Sequence, residues 1–270
     1  MNEAAARPFV MVPCLNEALA IRGLLEGVLS HCRDVIVIDD GSTDDTANIV
    51  AQMPVTLIRH RERRGKGEAL RTGFREALKR GATGVLTMDG DGQHDPADIP
   101  RILAAARQFP DALIIGARML ERERQPTGRR RANDFADWGI SWGCGRPVAD
   151  TQSGQRWYPH AAVELVDLPA QDFVFEAAIL IAASRDLDMP IVSIPITCRY
   201  DDSARHSHFR PVRDVLRITW YTFWRMVHYG HVARSYRASH DSPPQIYDPG
   251  RLLAEPPSAR LAGAGAPPGE

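Results

Sequence analysis

The stretch GVLTMDGDGQHDP, residues 84–96, leads a short apolar segment directly into a cluster of acidic side chains. The apolar part has the composition of a buried strand, whereas the carboxylates of Asp89 and Asp91 repel each other and resist removal from water. A divalent cation relieves both problems, because Mg²⁺ and Mn²⁺ bind one or two protein carboxylates and complete their coordination with water or phosphate. The stretch therefore predicts a strand that ends in a metal-binding loop, with Gln93 as an additional oxygen ligand. The alternative is an acidic turn that caps the following helix.

Apolar runs of this kind recur along the chain and alternate with segments of helical periodicity. Their residues are continuously apolar, which is typical of strands that are covered on both faces. The alternation predicts an α/β fold with a Rossmann-like, doubly wound and mostly parallel sheet that carries helices on both faces. The predicted strands are residues 9–12, 34–39, 55–58, 84–89, 112–117, 151–158 and 191–199. The predicted helices are residues 18–31, 43–52, 67–80, 98–109, 128–145, 174–186 and 209–233.

Polar loops follow the first, second and fourth of these strands, at residues 13–17, 39–42 and 89–93. In an open parallel sheet, ligands bind at the edge where the carboxyl ends of the strands meet. Because all three loops fall at that edge, the sequence predicts one shared binding site rather than three separate solvated turns.

Composition excludes several classes of protein. The 270 residues, 44% of them hydrophobic, are enough for one sizeable core, and the formal net charge of −1 gives no general attraction to nucleic acid. The four cysteines are far apart and form no CxxC pair, which argues against a zinc site and against a disulfide framework. We find neither a signal-peptide pattern nor an uninterrupted apolar run of ~18 residues. We therefore expect a cytoplasmic protein that does not span a membrane.

The sequence predicts one domain over residues 1–237, followed by a disordered tail over residues 238–270 that is rich in proline, glycine and alanine. The domain includes an amphipathic helix at residues 209–233. Its apolar face carries Leu216, Trp220, Phe223, Trp224 and Val227. Such a face is typical of a helix that lies in a membrane interface and also of a helix packed on the sheet. We favour packing, which is the commoner arrangement.

Six segments in a fixed order carry a resemblance to a known family. These segments are VMVPCLNE, VIVIDDGSTDDT, GKGEALRTGF, LTMDGDGQHDP, IIGAR and DTQSGQR. The chain resembles family 2 glycosyltransferases of the GT-A fold, particularly the branch that transfers sugars to dolichyl or polyprenyl phosphate. The resemblance implies an inverting enzyme that moves a hexose from a GDP- or UDP-sugar to a polyprenyl phosphate or another membrane-associated acceptor. It also implies Mg²⁺ or Mn²⁺ as a cofactor.

The same resemblance implies roles for individual residues. The implied nucleotide-sugar-binding residues are Pro13, Asn16, Glu17, Asp39, Asp40, Lys66, Asp89, Gly90, Arg205, His208 and Arg210. The implied acceptor-binding residues are Arg118, Arg131, Gln152 and Ser153, and the implied metal ligands are Asp89, Asp91 and Gln93. The implied catalytic residues are Asp91, Arg118, Ser153 and Glu176.

The type of acceptor decides whether a general base is needed. A hydroxyl acceptor needs a carboxylate to remove its proton, and Glu176 is the first candidate, with Asp172 the second. Ala178 stands where the branch has a second acid, so the sequence gives little support to a base. A lipid phosphate is already anionic and instead favours arginine donors, for which Arg118 at a predicted strand end is the best placed.

Two other functions remain open at this stage. One is a nucleotidyltransferase that makes nucleotide sugars, and the other is a non-catalytic, nucleotide-sugar-binding partner of a membrane complex. The acidic loop at residues 13–17 counts against the first, and the presence of both Asp89 and Asp91 counts against the second. We expect the protein to act as a peripheral enzyme at the inner face of the cytoplasmic membrane.

Overall fold

The computed structural model describes residues 7–120, 127–198, 211–230 and 232–248. Its strands are β1 (Pro8–Cys14), β2 (Val35–Asp39), β3 (Thr56–Arg59), β4 (Gly84–Thr87), β5 (Leu113–Ala117), β6 (Arg156–Pro159) and β7 (Ile191–Pro195). In this part of the chain they form one seven-stranded sheet in the order β3-β2-β1-β4-β6-β5-β7. Neighbouring strands are parallel except at β6, which runs antiparallel to β4 and β5. The predicted mostly parallel sheet is confirmed.

Helices cover both faces of the sheet, as the sequence predicts. They are α1 (Ile21–Leu29), α2 (Thr46–Ala51), α3 (Lys66–Lys79), α4 (Ile99–Gln108), α5 (Thr127–Cys144), α6 (His160–Val163), α7 (Val174–Asp186), α8 (Pro211–Tyr229) and α9 (Val232–His240). Successive residues of β1 face opposite cores: Phe9 and Met11 pack with α3, α5 and α7, whereas Val10 and Val12 pack with α1 and α4. A strand buried on both sides is apolar at most of its positions, which explains the nearly continuous apolar runs.

The antiparallel direction of β6 brings an additional loop to the carboxyl edge of the sheet. Thr87 at the end of β4 pairs with Arg156 at the start of β6. The residues that precede β6 therefore lie at the same edge as the loops that follow the parallel strands. The strand predicted from residue 151 begins only at Arg156, and residues 151–155 form a loop.

The helix predicted over residues 209–233 is two helices in the structure, α8 and α9, which are separated at Gly230 with a φ of +67°. The preference for packing of its aromatic face is wrong. The side chains of that face are exposed, and the opposite face, with Ile218, Thr222 and Met226, is buried instead. Gly143 of α5 explains why this face of α8 is the buried one. The methyl group of Thr222 lies 2.9 Å from where a Cβ of residue 143 would stand, so the missing side chain leaves room for it.

The prediction of a disordered tail from residue 238 is wrong for residues 238–248. Helix α9 extends to His240, and the following segment lies beside β7. There the backbone N–H of Ser193 donates to the carbonyl of Gln245 (2.8 Å), and the N–H of Tyr247 donates to the carbonyl of Ser193 (2.9 Å). β7 is the last strand of the sheet, so its outer edge offers unpaired backbone groups that this segment satisfies. Residues 249–270 lie outside the described residues.

Across the described residues, no helix combines the length and the apolar character that are needed to cross a bilayer.

Candidate active site

The three polar loops predicted to share a site are in direct contact at the carboxyl edge of the sheet. The N–H of Asp40 donates to the carbonyl of Cys14 (2.9 Å), and the N–H of Gly90 donates to the carbonyl of Pro13 (3.2 Å). The N–H of Asn16 donates to Oγ of Ser42 (2.8 Å). A side chain on Gly90 would come within 2.8 Å of the Cβ of Cys14, so the first and third loops approach this closely only because residue 90 is glycine.

Lys66, the first residue of α3, connects two carboxylates of the site. Its Nζ lies 2.8 Å from Oδ1 of Asp89 and 3.3 Å from Oε2 of Glu176, which stands in the first turn of α7. Burial lowers the pKa of Lys66, but the charges of Asp89 and Glu176 outweigh burial and raise it above its ordinary value. Burial raises the pKa of Asp89, and the nearby Lys66 ammonium more than offsets this and lowers it. Lysine and aspartate are therefore both charged at neutral pH.

Asp91 experiences the opposite effect. Its pKa is raised, first by burial and then by the charge of Asp89. Its carboxylate accepts hydrogen bonds from the backbone N–H of Gln93 (3.0 Å) and from Nε2 of Gln93 (2.8 Å). Asp89 and Asp91 are neighbouring carboxylates, and the single charge of Lys66 is shared between Asp89 and Glu176 of α7. The loop that carries the two aspartates therefore keeps an excess of negative charge.

This arrangement fits an open site for a divalent cation. Asp89 and Asp91 supply the hard oxygen donors that Mg²⁺ and Mn²⁺ prefer. Among the described residues, no group of three or more His, Cys, Asp or Glu side chains is arranged to enclose a metal. A cation would therefore take its other ligands from Gln93, water and a substrate phosphate. Gly154 leaves space for the carboxylate of Asp89, because a Cβ at that position would overlap it.

Asp39 and Asp40 are buried, and both organise the backbone of the site. Oδ1 of Asp40 contacts Nδ1 of His60 (2.7 Å) and accepts from the N–H of Arg64 (2.9 Å), while Oδ2 accepts from the N–H of Gly65 (2.8 Å). These bonds fix the loop that delivers Lys66. Asp39 accepts from the N–H of Ser42 (2.9 Å) and pairs with Nε of Arg59 (3.0 Å). Direct contact of these two aspartates with a nucleotide stays a prediction.

Asn16 has a left-handed backbone with a φ of +59°, and its Oδ1 accepts from the N–H of Thr43 (2.8 Å). The N–H of Glu17 donates to Oγ1 of Thr46 at the start of α2 (2.8 Å). The first loop is thereby fastened to the second. The nucleotide contacts predicted for Pro13, Asn16 and Glu17 also stay predictions.

Arg118 forms a forked ion pair with Asp150. Nη2 donates to Oδ1 (2.6 Å) and Nε to Oδ2 (2.8 Å), and the backbone N–H of Arg118 also donates to Oδ2 (2.7 Å). Burial raises the pKa of Asp150, but these bonds and the arginine charge bring it below its ordinary value. Arg118, the arginine predicted to bind the acceptor, thus has its guanidinium bound to Asp150, which was not among the predicted site residues.

Arg156 is a site residue that the sequence analysis missed. It is 1% exposed, and its guanidinium donates to the carbonyls of Thr151 (2.6 Å), Ser153 (2.7 Å) and Glu176 (3.3 Å). It therefore ties the loop before β6 to the first turn of α7. Ser153, predicted to be catalytic and to bind the acceptor, is fully buried within this loop, whereas Gln152 is half-buried. The sequence signal for this role is an arginine at the start of the otherwise apolar strand RWYP.

Asp137, Asp172 and His94 also lie around the candidate site. Asp137 of α5 accepts from the N–H and hydroxyl of Thr151 (both 2.7 Å), and burial raises its pKa to about 6. Burial lowers the pKa of His94 to about 4, so this imidazole, directly after the acidic loop at residues 89–93, is neutral at pH 7. Asp172 has a φ of +49° and packs where Gly65 and Gly67 leave room for it.

Arg205, His208 and Arg210 lie outside the described residues. Arg131 belongs to the described backbone of α5, but its side chain lies outside the description.

Residues 9–159, more than half of the chain, match the family described as "Glycosyl transferase family 2". The chain belongs to this family. The predicted enzyme class, a glycosyltransferase, is thereby confirmed. The match covers β1 to β6 and therefore contains the acidic loop at residues 89–93, Lys66 and the Arg118–Asp150 pair.

The relatives support the predicted branch of the family. An undecaprenyl-phosphate mannosyltransferase from Micrococcus luteus is 32% identical over 213 residues, covering 71% of this chain and 83% of the relative. A UDP-N-acetylglucosamine–dolichyl-phosphate N-acetylglucosaminyltransferase from Methanococcus voltae is 26% identical over 218 residues, covering 72% and 86%. A polyprenol monophosphomannose synthase from Mycolicibacterium smegmatis is 28% identical over 209 residues, covering 71% and 77%.

Among solved structures, the chain resembles glucosyl-3-phosphoglycerate synthase from Mycobacterium tuberculosis, crystallised with Mn²⁺, uridine diphosphate and phosphoglyceric acid. The TM-score is 0.62 at 20% identity, and the match covers 84% of this chain and 79% of the other. This likeness confirms the predicted GT-A fold.

Proposed function

We propose that this glycosyltransferase moves a hexose from a nucleoside-diphosphate sugar to a polyprenyl phosphate, with inversion at the anomeric carbon and with Mg²⁺ or Mn²⁺ bound at Asp89 and Asp91. The observation that carries the proposal is the meeting of these two carboxylates with Lys66 where the three loops converge. When bound, the cation would neutralise the charge that develops on the departing diphosphate.

The protein's own residues contribute by holding this charge pattern in place. Lys66 fixes Asp89 in the ionised form and sets a positive charge beside the metal loop. Asp40 fixes the backbone before Lys66, and Gly154 leaves space for the Asp89 carboxylate. Donors that are fixed before the reaction stabilise developing charge without reorganisation.

The contacts of the two candidate bases favour a phosphate acceptor. Glu176 pairs with Lys66 (3.3 Å), and Asp172 pairs with Arg217 (3.0 Å). An oxygen of a lipid phosphate can attack the anomeric carbon without losing a proton, while the bond from that carbon to the diphosphate oxygen breaks and the electron pair leaves with the nucleotide. The names of the relatives from Micrococcus luteus and Mycolicibacterium smegmatis agree with such an acceptor.

The test is transfer of hexose from UDP- and GDP-sugars to undecaprenyl phosphate in detergent, with and without Mn²⁺. We expect Asp91→Asn and excess chelator each to abolish transfer. The matched control is Asp111→Asn, which removes an exposed aspartate before β5, at the opposite edge of the sheet. Full turnover by Asp91→Asn would reject the cation site. Thermal shifts measure donor binding separately, since a ligand of the native state raises its melting temperature.

We further propose that the acceptor is presented by a membrane and that the chain works as a peripheral protein at its cytoplasmic face. The relatives named above act on dolichyl, undecaprenyl or polyprenyl acceptors, by their names. Such acceptors are anchored in a bilayer by their lipid chains.

A further inference from the structure

Exposed apolar side chains are concentrated on three neighbouring helices. The described residues include thirteen large hydrophobic side chains that are exposed, and nine of them belong to α5, α8 and α9. Five of the nine lie on one face of α8, namely Leu216, Trp220, Phe223, Trp224 and Val227. The other four, Phe135, Trp138, Val232 and Tyr236, lie on α5 and α9, where the rings of Trp138 and Tyr236 are in contact. Together we call these nine residues the aromatic surface. Single exposed apolar residues are ordinary, but a cluster of this size marks an interaction surface.

The helices that carry the aromatic surface pack against one another. α5 packs against both α8 and α9, and Nε1 of Trp142 donates to the carbonyl of Val232 (3.0 Å). The rings of Trp138 and Trp142 stand edge to face, 5.5 Å apart, and Tyr236 lies 5.0 Å from Trp142. On α8, the buried face is already occupied by the packing of Ile218, Thr222 and Met226. The exposed rings are therefore not needed to hold α8 to the domain.

Charge distinguishes these helices from the rest of the protein. Their sequences contain eight arginines and three aspartates, with no lysine or glutamate, whereas the whole chain has a formal net charge of −1. Arg234 and Arg237 of α9 are exposed beside Tyr236. Arg217 and Arg225 of α8 pair with Asp172 and Asp186, so Arg234 and Arg237 are the arginines that the argument uses. Aromatic rings with exposed arginines beside them match an anionic bilayer, in which rings enter the headgroup region and arginines meet lipid phosphates.

The aromatic surface also lies near the site. Arg217 of α8 pairs with Asp172, which packs against the glycines on either side of Lys66. A cavity of about 800 Å³ lies between α3, the loop before α7 and α8, and its lining includes Trp220, Trp224 and Arg217. A membrane that contacts α8 is therefore close to the elements that carry the candidate active site.

We propose that the aromatic surface is the membrane-docking surface of this enzyme and that it selects bilayers containing anionic lipids. The proposal rests on the proposed function in one respect, namely that the acceptor is held in a membrane. Apolar contact by the rings supplies binding to any bilayer, and the arginines add the preference for anionic headgroups.

The test uses vesicles without acceptor, either phosphatidylcholine alone or phosphatidylcholine with phosphatidylglycerol. We expect the wild type to sediment with the anionic vesicles, with a blue shift of tryptophan fluorescence, and to bind the neutral vesicles more weakly. Trp220→Ala/Trp224→Ala should lose most binding to both. Arg234→Glu/Arg237→Glu should weaken binding to the anionic vesicles by about tenfold or more and abolish the preference for them.

The controls remove the same residue types from elsewhere on the surface. Leu19→Ala removes the side chain of a leucine that is 87% exposed, and Arg33→Glu/Arg107→Glu reverses two exposed arginines on the other face of the sheet. Both should bind like the wild type. Equal binding by all variants would overturn the proposal. So would a concentration-dependent dimer that Trp220→Ala/Trp224→Ala converts to a monomer, because the surface would then bind a second copy.

A thermal shift with UDP- and GDP-sugars is measured on every variant in the absence of vesicles. Retained donor binding with no vesicle binding by the wild type would reject the docking surface and the peripheral membrane contact, and would leave the proposed sugar transfer intact. Vesicle binding without any donor binding would reject the proposed function alone.

Discussion

The ammonium group of Lys66 lies 2.8 Å from the carboxylate of Asp89, so the first residue of α3 is joined to the loop that follows β4. The contact places a positive charge beside the two acidic residues that fit a cation. It also depends on Asp40, whose carboxylate holds the N–H groups of Arg64 and Gly65 directly before Lys66. An aspartate at the end of β2 thus sets the position of a lysine that acts on the loop after β4.

Replacement of Lys66 by methionine should lower kcat/KM for sugar transfer by about 10²–10³, because one fixed charge that stabilises the leaving diphosphate is lost. Lys79→Met is the control, since Lys79 is the other lysine of the chain and is exposed at the far end of α3. Steady-state kinetics with both variants measure the effect. An unchanged kcat/KM in Lys66→Met would show that Lys66 acts only in the fold.

Replacement of Gly154 by alanine should abolish transfer and leave the fold intact. A Cβ at residue 154 would overlap the carboxylate of Asp89, so that carboxylate must move away from Lys66 and from the cation site. The control is Gly23→Ala in α1, where a Cβ meets nothing within 4 Å and should stabilise the helix by about 0.5–1 kcal/mol. Circular dichroism and transfer assays separate the two effects. Wild-type activity in Gly154→Ala would show that the position of Asp89 is not critical.

The sequence predicts the sheet well because its signals are local. Most buried strands are largely apolar runs, such as VIVI at the start of β2, and the polar loops follow such runs directly. The direction of β6 is not local, because it depends on pairing with β4 across a long separation in the chain. The segment beside β7 was missed for the same reason, since its partner, Ser193, is about fifty residues away.

In the candidate site, too, the sequence predicts local features but not long-range contacts. Motifs predict Asp89, Asp91 and Lys66 as site residues, but the sequence contains no sign that Lys66 pairs with Asp89 and Glu176. The aromatic face of α8 was identified from its helical periodicity, which shows that residues share a face but not whether that face is buried. Which face of α8 is buried depends on Gly143 of α5, because its missing side chain leaves room for Thr222 on the face opposite the aromatic one.

Replacement of Arg156 by methionine should lower the free energy of unfolding by about 2–4 kcal/mol, because buried carbonyls of the loop before β6 and of Glu176 lose their donor. Arg146→Met is the control, since Arg146 pairs with Asp188, whose side chain is 94% exposed, and such pairs contribute about 0–1 kcal/mol. Urea unfolding of both variants measures the difference. Equal losses in the two variants would contradict the assigned role of Arg156.

Asp137 should add to the free energy of unfolding at low pH, and this contribution should decline as the pH rises. Burial raises the pKa of its carboxyl to about 6 in the folded state, against an ordinary value of about 3.9 in the unfolded chain. The folded protein therefore holds an additional proton between these values, and the associated stability is fully present below about pH 4 and lost as the pH passes through about 6. Relative to Asp137→Asn, the free energy of unfolding of the wild type should fall by about 1–2 kcal/mol over this range. Urea unfolding at several pH values measures the difference, with Asp134→Asn, an exposed position on the same helix, as the control. A difference between wild type and Asp137→Asn that stays constant with pH, or rises with it, would contradict this ionisation of Asp137.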